Sequence, residues 1–339
     1  MSHSARPKVV VAISAGHMPL IMPPETLEAL RAFADVRVLA DEGEITADVM
    51  AESLHDADAL MTCWGTPAVT PSMLDEAANL KIIAHTAGSV RPIACRQILQ
   101  RGIVLTQGAY QIGYAVAEHT MMFILAGLKL TWATDRVLQR TRDWKGTRQP
   151  VEKLWELRGR TVGVVALSQV GEQVVLLLRA FGCKVIAYDP YAPSELVGRL
   201  GVEMVSLEEL FGRSEIVTIH LPVTDETRGM ITAELLARLP DNALVVNTSR
   251  GAVIDEQALI AELRSGRLRA ALDVTDPEPP GADSPLYGLE NVLLTPHAAG
   301  NTIHTRHNQG RQAVEDIRRV LAGGQPERQI TLAMWDRMA

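Results

Sequence analysis

The chain has 339 residues, a length at which one hydrophobic core rarely suffices, so two domains are expected. Hydrophobic residues make up 47% and charged residues 22%, the balance of a globular protein that buries a large core. A formal net charge of −7 argues against a nucleic-acid partner, because no broad basic face is left to neutralise phosphates.

At the N-terminus, Met1 to Lys8 is short and polar and leads into the apolar run Val9–Ile13. That run is too short for a signal or membrane segment, and no other stretch reaches spanning length. No membrane partner is expected, and a cytoplasmic location is. Further apolar runs follow at Val36–Leu39, Ala59–Thr62, Lys81–His85, Thr161–Ala166, Lys184–Tyr188, Ile216–His220, Ala243–Asn247, Ala270–Asp273 and Val292–Leu294. Amphipathic stretches separate them. Continuous apolar runs of this length read as buried parallel strands, and their alternation with helical patterns reads as βαβ units. The predicted class is α/β with doubly wound parallel sheets. The helical run Ala115–Leu130, which precedes the polar stretch Arg136–Gln149, and the run His304–Leu321 read as connectors between domains. Met121 and Met122 on the first are expected in the core. Within the second, the basic run Arg311–Arg319 is interleaved with acids and reads as a solvated helix face. The cysteines Cys63, Cys95 and Cys183 are scattered without metal-type spacing, which suggests reduced thiols and no metal site.

The segment Arg160-Thr-Val-Gly-Val-Val-Ala-Leu-Ser-Gln-Val-Gly-Glu-Gln passes from a predicted strand into a predicted helix. The three glycines of a dinucleotide-binding turn would fall on Ala166, Ser168 and Gly171, and only the last is glycine. Alanine permits the tight turn if its φ is negative, and Gly171 meets the need for close helix–strand packing. A side chain at Ser168 limits the approach of a pyrophosphate, although its hydroxyl is a candidate donor to a phosphate oxygen. The next strand ends on Asp189, roughly 20 residues on, where an acidic residue binds the adenosine ribose. A carboxylate there repels a 2′-phosphate and favours NAD over NADP. An ordinary βαβ unit with an acidic strand-end loop is an equal alternative on these residues alone.

Three polar residues follow strands in the downstream half: Arg250, Glu278 and His297. Singly, a surface arginine, a loop acid in a Pro-rich turn and a helix-capping histidine are adequate readings. Together they form a chemically complete set for reducing a 2-oxo acid. Arginine binds a carboxylate through its fork and stays charged. Histidine donates a proton near neutral pH, and a neighbouring carboxylate stabilises its imidazolium.

At these residues the sequence resembles the D-isomer-specific 2-hydroxyacid dehydrogenases. The matching stretches are Asn247-Thr-Ser-Arg-Gly-Ala-Val-Ile-Asp-Glu, Ala271-Leu-Asp-Val-Thr-Asp-Pro-Glu-Pro, Leu294-Thr-Pro-His-Ala-Ala-Gly-Asn-Thr and His220-Leu-Pro-Val-Thr-Asp-Glu-Thr. The resemblance implies a Rossmann-type NAD domain, 115–303, inserted in a discontinuous flavodoxin-like substrate domain, 1–114 and 304–339. It implies NAD as cofactor, a small 2-oxo or 2-hydroxy acid as substrate, D-stereochemistry, and a homodimer. It places Ser168, Gln169, Val170 and Gly171 at the pyrophosphate turn, Asp189 at the ribose and Leu221 on the adenine side. Thr248 and Asp273 fall near the nicotinamide, and Gly300 joins the cofactor set. Arg250 becomes the substrate binder, His297 the general acid/base and Glu278 its partner. Thr86-Ala-Gly-Ser-Val-Arg-Pro-Ile aligns with the family's carboxylate loop, where Ser89 and Val90 offer backbone N–H groups.

Arg91 departs from the acidic pattern of that loop. One reading makes it a cation for a second anionic group on the substrate, and the other a solvated surface arginine. Trp64, Tyr110 and Trp335 are candidates for the side-chain pocket, with packing as the alternative. An NAD(H)-sensing scaffold of corepressor type is the competing function, although it has no need of the full arginine–glutamate–histidine set. Formate dehydrogenase, a relative without an acid partner for the histidine, is a third possibility that Glu278 argues against.

Overall fold

The structure, a computed structural model, describes residues 6–336 and 338. The chain divides into two compact units, one running to Ile112 and resuming at Asn301, the other Gly113–Gly300. The first holds β1 (Lys8–Ala12), β2 (Asp35–Val38), β3 (Ala59–Thr62), β4 (Ile82–His85) and β5 (Val104–Gln107) in the order β2-β1-β3-β4-β5. The second holds β6 (Thr161–Val165), β7 (Lys184–Tyr188), β8 (Glu203–Met204), β9 (Ile216–Ile219), β10 (Leu244–Asn247), β11 (Arg269–Leu272) and β12 (Val292–Leu294). Their order is β12-β11-β10-β9-β6-β7-β8. Every pairing in both sheets is parallel.

Burial on both faces explains why the strands read as unbroken apolar runs. All four residues are buried in each of β3, β4, β9, β10 and β11. Alternate residues feed opposite cores: Val165, Ile219 and Val245 join one cluster, Val164, Val246 and Ala271 the other. In the first unit, Val10, Leu60 and Ile83 pack on one side, with Val9, Met61 and Ile82 on the other. Each sheet is therefore covered on both faces, as a doubly wound topology requires.

Two strands escape the apolar-run pattern. β5 is a short edge strand ending in Thr106 and Gln107, and β8 has two residues, both exposed. The helix Ala109–Leu128 occupies the first connector stretch, and Ile303–Leu321 the second. On the first, Met121 is buried as expected, but Met122 is 45% exposed. Adjacent residues lie about 100° apart around a helix, so both could not face one core. The polar stretch from Arg136 is helical as far as Thr141, within Thr131–Thr141. On Ile303–Leu321, Glu315 pairs with both Arg318 and Arg319 at helical spacing. Among the described residues no helix is long and apolar enough to cross a membrane, and no group of His, Cys, Asp and Glu side chains could hold a metal ion.

Candidate active site

In the Gly113–Gly300 unit the strand order reverses between β6 and β9, the position where doubly wound sheets bind ligands beyond their carboxyl ends. The turn after β6 holds Ala166 at φ +73°, in the left-handed region. The condition of a negative φ is thus not met: the chain turns here as glycine would, and the alanine Cβ bears the strain. The Ala166 N–H donates to the Tyr188 carbonyl at 2.8 Å, which holds the turn against β7. Its carbonyl faces Gly171 so closely that a Cβ there would lie 2.1 Å from the oxygen. Gly171 is therefore a packing requirement of the helix Gln169–Ala180.

Ser168 is the N-cap of that helix, and its Oγ accepts from the Gly171 N–H at 3.3 Å. The N–H groups of Gln169 and Val170 belong to the same first turn, which leaves them without helical partners. Gln169 Oε1 is buried without a hydrogen-bond partner. Asp189, at the end of β7, accepts from the Leu167 N–H and the Tyr191 N–H, each at 2.9 Å, so its carboxylate is held beside the turn. Open first-turn donors and a fixed strand-end carboxylate fit the pyrophosphate and ribose of a dinucleotide. Leu221, 7% exposed, follows β9 and belongs to the core cluster that includes Ala166. His220 before it is buried, with Nε2 3.0 Å from Thr218 Oγ1 and Nδ1 unpartnered. Burial pushes its pKa down to about 3.

Arg250, Glu278 and His297 follow β10, β11 and β12, three adjacent strands. Asn247 shapes the first loop: its Nδ2 donates to the Arg250 carbonyl at 2.8 Å, and its Oδ1 accepts from the Ser249 N–H and hydroxyl. Arg250 is exposed, and Thr248 is buried against Thr120, hydroxyl to hydroxyl at 2.9 Å. At Gly251 a Cβ would sit 2.0 Å from the Thr275 carbonyl carbon. This close approach packs the arginine loop against the turn that leads to Glu278. Glu256 supports the same turn by accepting from the Asp276 N–H at 2.8 Å, and burial raises its pKa.

His297 Nδ1 lies 2.5 Å from Glu278 Oε1, with the two side chains 45% and 40% exposed. The histidine backbone is left-handed, φ +50°, and its N–H donates to the Asp273 carbonyl at 2.8 Å. Asp273 is 1% exposed. Its carboxylate accepts from the Thr295 hydroxyl and from the Ala298 and Ala299 N–H groups, both at 2.9 Å. Asp273 was expected beside the nicotinamide; the bonds shown here tie it to the loop that carries His297. Gly300 ends that loop. His119, on Ala109–Leu128, lies 3.3 Å from Thr295 Oγ1 and 4.0 Å from Asp273 Oδ1. Burial lowers its pKa, and the Asp273 charge partly opposes this. Sequence reasoning passed over His119 and Gly251. The first sits in an apolar helix with no strand-end signal, and the second inside a quoted motif without a recognised task.

In the other unit, Ser89 and Val90 follow β4. Val90 is fully buried and packs in the core. His85 anchors the loop, with Nδ1 2.9 Å from Thr62 Oγ1 and a hydrogen bond to the Ser89 backbone. Its pKa is pushed down to about 4, chiefly by burial. Arg91 stacks over Trp335 at 4.4 Å, and donates to the Trp335 carbonyl at 2.5 Å and the Met338 carbonyl at 3.1 Å. Its guanidinium is thus held by the C-terminal residues, although Arg91 itself is exposed. Trp335 is 7% exposed and belongs to the core. Tyr110 lies under Arg328 and Trp64 under Arg306, each at 3.9 Å.

Residues 121–299 match the family model described as "D-isomer specific 2-hydroxyacid dehydrogenase, NAD binding domain". The chain is 36% identical over 296 residues to D-3-phosphoglycerate dehydrogenase of Methanocaldococcus jannaschii, covering 85% of this chain and 55% of the relative. It therefore spans about half the length of that protein. It is 35% identical over 299 residues to glyoxylate reductase of Aeropyrum pernix, covering 87% of this chain and 89% of the relative. Among solved structures, apo D-mandelate dehydrogenase of Rhodotorula graminis superposes with a TM-score of 0.81 at 25% identity, covering 96% of this chain and 97% of that one. The chain belongs to the D-isomer specific 2-hydroxyacid dehydrogenase family.

Proposed function

We propose that this chain interconverts a small 2-oxo acid and its D-2-hydroxy acid, with NAD as the hydride carrier. The contact between His297 and Glu278 carries the reading, because a scaffold has no use for a paired acid and imidazole at a sheet edge. Gln169 and Val170 would hold the pyrophosphate, Asp189 the ribose and Leu221 the adenine side, with Ser168, Gly171, Thr248, Asp273 and Gly300 around them. Bound there, the nicotinamide supplies or receives the hydride.

Arg250 binds the substrate carboxylate and polarises the carbonyl through its fork. In the other unit, Ser89 and Val90, on the loop after β4, are the residues assigned to carboxylate binding. With Nδ1 facing Glu278, His297 is left its Nε2 for proton exchange: it donates to the carbonyl oxygen in reduction and takes the hydroxyl proton in oxidation. Glu278 holds Nδ1–H and stabilises the imidazolium between those steps. A second anionic group on the substrate also belongs to this reading, with Arg91, held by Trp335 and Met338, the weaker candidate for binding it.

The reading extends to a cytoplasmic homodimer. Free thiols at Cys63, Cys95 and Cys183 suit a reducing compartment. Trp144, 70% exposed, and Val151, 81% exposed, leave large apolar surface that a second copy would cover.

The test mixes the protein with NADH and glyoxylate, pyruvate, hydroxypyruvate or phosphonopyruvate and follows absorbance. Turnover with at least one acid, lost in His297→Asn, is expected. NADH binding without any turnover would favour the sensing scaffold.

A further inference from the structure

The unit that contains β1–β5 has its own reversal of strand order, between β1 and β3. Ligands of doubly wound sheets bind outside the carboxyl ends of the strands at such a point. Three segments meet there. The loop after β1 supplies Ser14 and His17, with Ser14 Oγ 2.9 Å from His17 Nδ1. The loop after β3 supplies Trp64, whose ring centroid lies 6.0 Å from that of His17. The helix Ile303–Leu321 supplies Arg306, whose guanidinium carbon lies 3.9 Å from the Trp64 centroid.

Arg306 is fixed in two ways. The stack on Trp64 sets the plane of its fork. Asn301 Oδ1 accepts from Nε at 3.3 Å and from Nη2 at 3.0 Å, which sets its rotation and leaves the Nη1 donors. Both partners are neutral. By contrast, Arg37, Arg96 and Arg101 of the same unit end on the carboxylates of Glu42, Asp336 and Asp75. Among the described residues no carboxylate forms an ion pair with Arg306, and burial lowers its pKa. A rigid, partly dehydrated guanidinium with no counter-charge is built to receive an anion. The candidate carboxylate loop lies beside it. Thr86, which opens that loop, donates its N–H to the Thr62 carbonyl at 2.8 Å and its hydroxyl to the same oxygen at 3.0 Å, two residues before Trp64.

We propose that Arg306, stacked on Trp64 and flanked by His17, binds the distal anionic group of the substrate, so that the preferred substrates are 2-oxo acids bearing a second carboxylate, phosphate or phosphonate. This rests on the dehydrogenase reading above and names its substrate class. Pyruvate would occupy the carboxylate loop alone, whereas a dianion would span the two neighbouring strand ends.

Two measurements test it. Steady-state kinetics with pyruvate, phenylpyruvate, oxaloacetate and phosphonopyruvate compare the wild type with Arg306→Gln and Arg306→Lys. The kcat/KM ratio of dianion to pyruvate should fall about 10- to 100-fold in Arg306→Gln, the worth of one charge-assisted fork, and recover in part in Arg306→Lys. Calorimetric titration with malonate against acetate reads the same preference without turnover. An unchanged ratio in Arg306→Gln in either measurement, or a wild-type preference for phenylpyruvate over both dianions, overturns the assignment. If no acid is turned over, the dehydrogenase reading fails by itself, and the malonate titration still decides whether Arg306 is an anion site.

Discussion

Acid should loosen this protein through two buried histidines. His85 is 3% exposed and His220 4%, with pKa values pushed down to about 4 and about 3. An unfolded histidine titrates near 6.5. As pH falls, the unfolded chain therefore takes up protons that the folded chain refuses. The stability these groups allow is full above about pH 6.5 and is lost as pH falls from there towards the folded values. At pH 5 the unfolded state gains about 2 kcal/mol from each residue, or about 4 kcal/mol from both, a large part of a typical 5–15 kcal/mol total. The partners of His85 are Thr62 and Ser89, and that of His220 is Thr218, so the two contributions should add. Urea unfolding at constant ionic strength, followed by circular dichroism at pH 8 and pH 5, reads the difference. His85→Asn keeps a polar atom near the Nδ1 position, and His220→Gln one near Nε2, but neither titrates. Each should unfold more easily at pH 8 and lose about 2 kcal/mol less than the wild type between the two pH values. Equal losses in wild type and both variants would show that these imidazoles are not what acid attacks.

Three further outcomes follow from backbone geometry and burial. Ala166→Gly relieves a left-handed alanine, and its gain of about 1–2 kcal/mol, reduced by about 0.5–1 kcal/mol of glycine entropy, should raise the urea midpoint and tighten NADH binding; a lower midpoint would mean that the turn is unstrained. Gly251→Ala drives a Cβ against the Thr275 carbonyl and should cost about 1–3 kcal/mol and on the order of 100-fold in turnover, while Gly198→Ala, with nothing within 4 Å of its Cβ, serves as the tolerated control. Asp316, 1% exposed with Oδ2 unpartnered, has its pKa raised chiefly by burial, so its unfavourable charge appears as pH rises through the folded value. Asp316→Asn should therefore stabilise the protein by about 1–3 kcal/mol at pH 7.5, and the gain should vanish at pH 3.5, as thermal melts at the two pH values will show.

Much of the fold was legible because parallel strands buried on both faces leave a one-dimensional signal. The runs at Ala59–Thr62, Lys184–Tyr188 and Val292–Leu294 coincide with β3, β7 and β12. The signal fades at exposed β8 and at the edge strand β5, whose second half is the polar pair Thr106 and Gln107. The candidate catalytic trio was legible for a related reason, since each residue lies in the loop that follows an apolar run. Backbone conformation left no comparable trace. An alanine at 166 gives no hint of φ +73°, because the constraint comes from the Tyr188 carbonyl and the helix beginning at Gln169. Arg91 was equally unreadable, since its partners Trp335 and Met338 lie at the far end of the chain.

Asp273 ties together two motifs that lie far apart in the sequence. One stretch contains Ala271-Leu-Asp-Val and the other Thr295-Pro-His-Ala-Ala, and neither alone specifies a catalytic geometry. The Asp273 carbonyl accepts from the His297 N–H, and its carboxylate takes Thr295, Ala298 and Ala299. His297 is thereby held on both sides in a backbone conformation that a free histidine seldom adopts. Its ring then has only to meet Glu278, which the same strand end delivers. A buried carboxylate satisfied by loop N–H groups is costly to disturb, because each lost bond leaves a polar group stranded. In the proposed function Asp273 is a positioning residue for proton transfer, through the loop that carries the His297 imidazole.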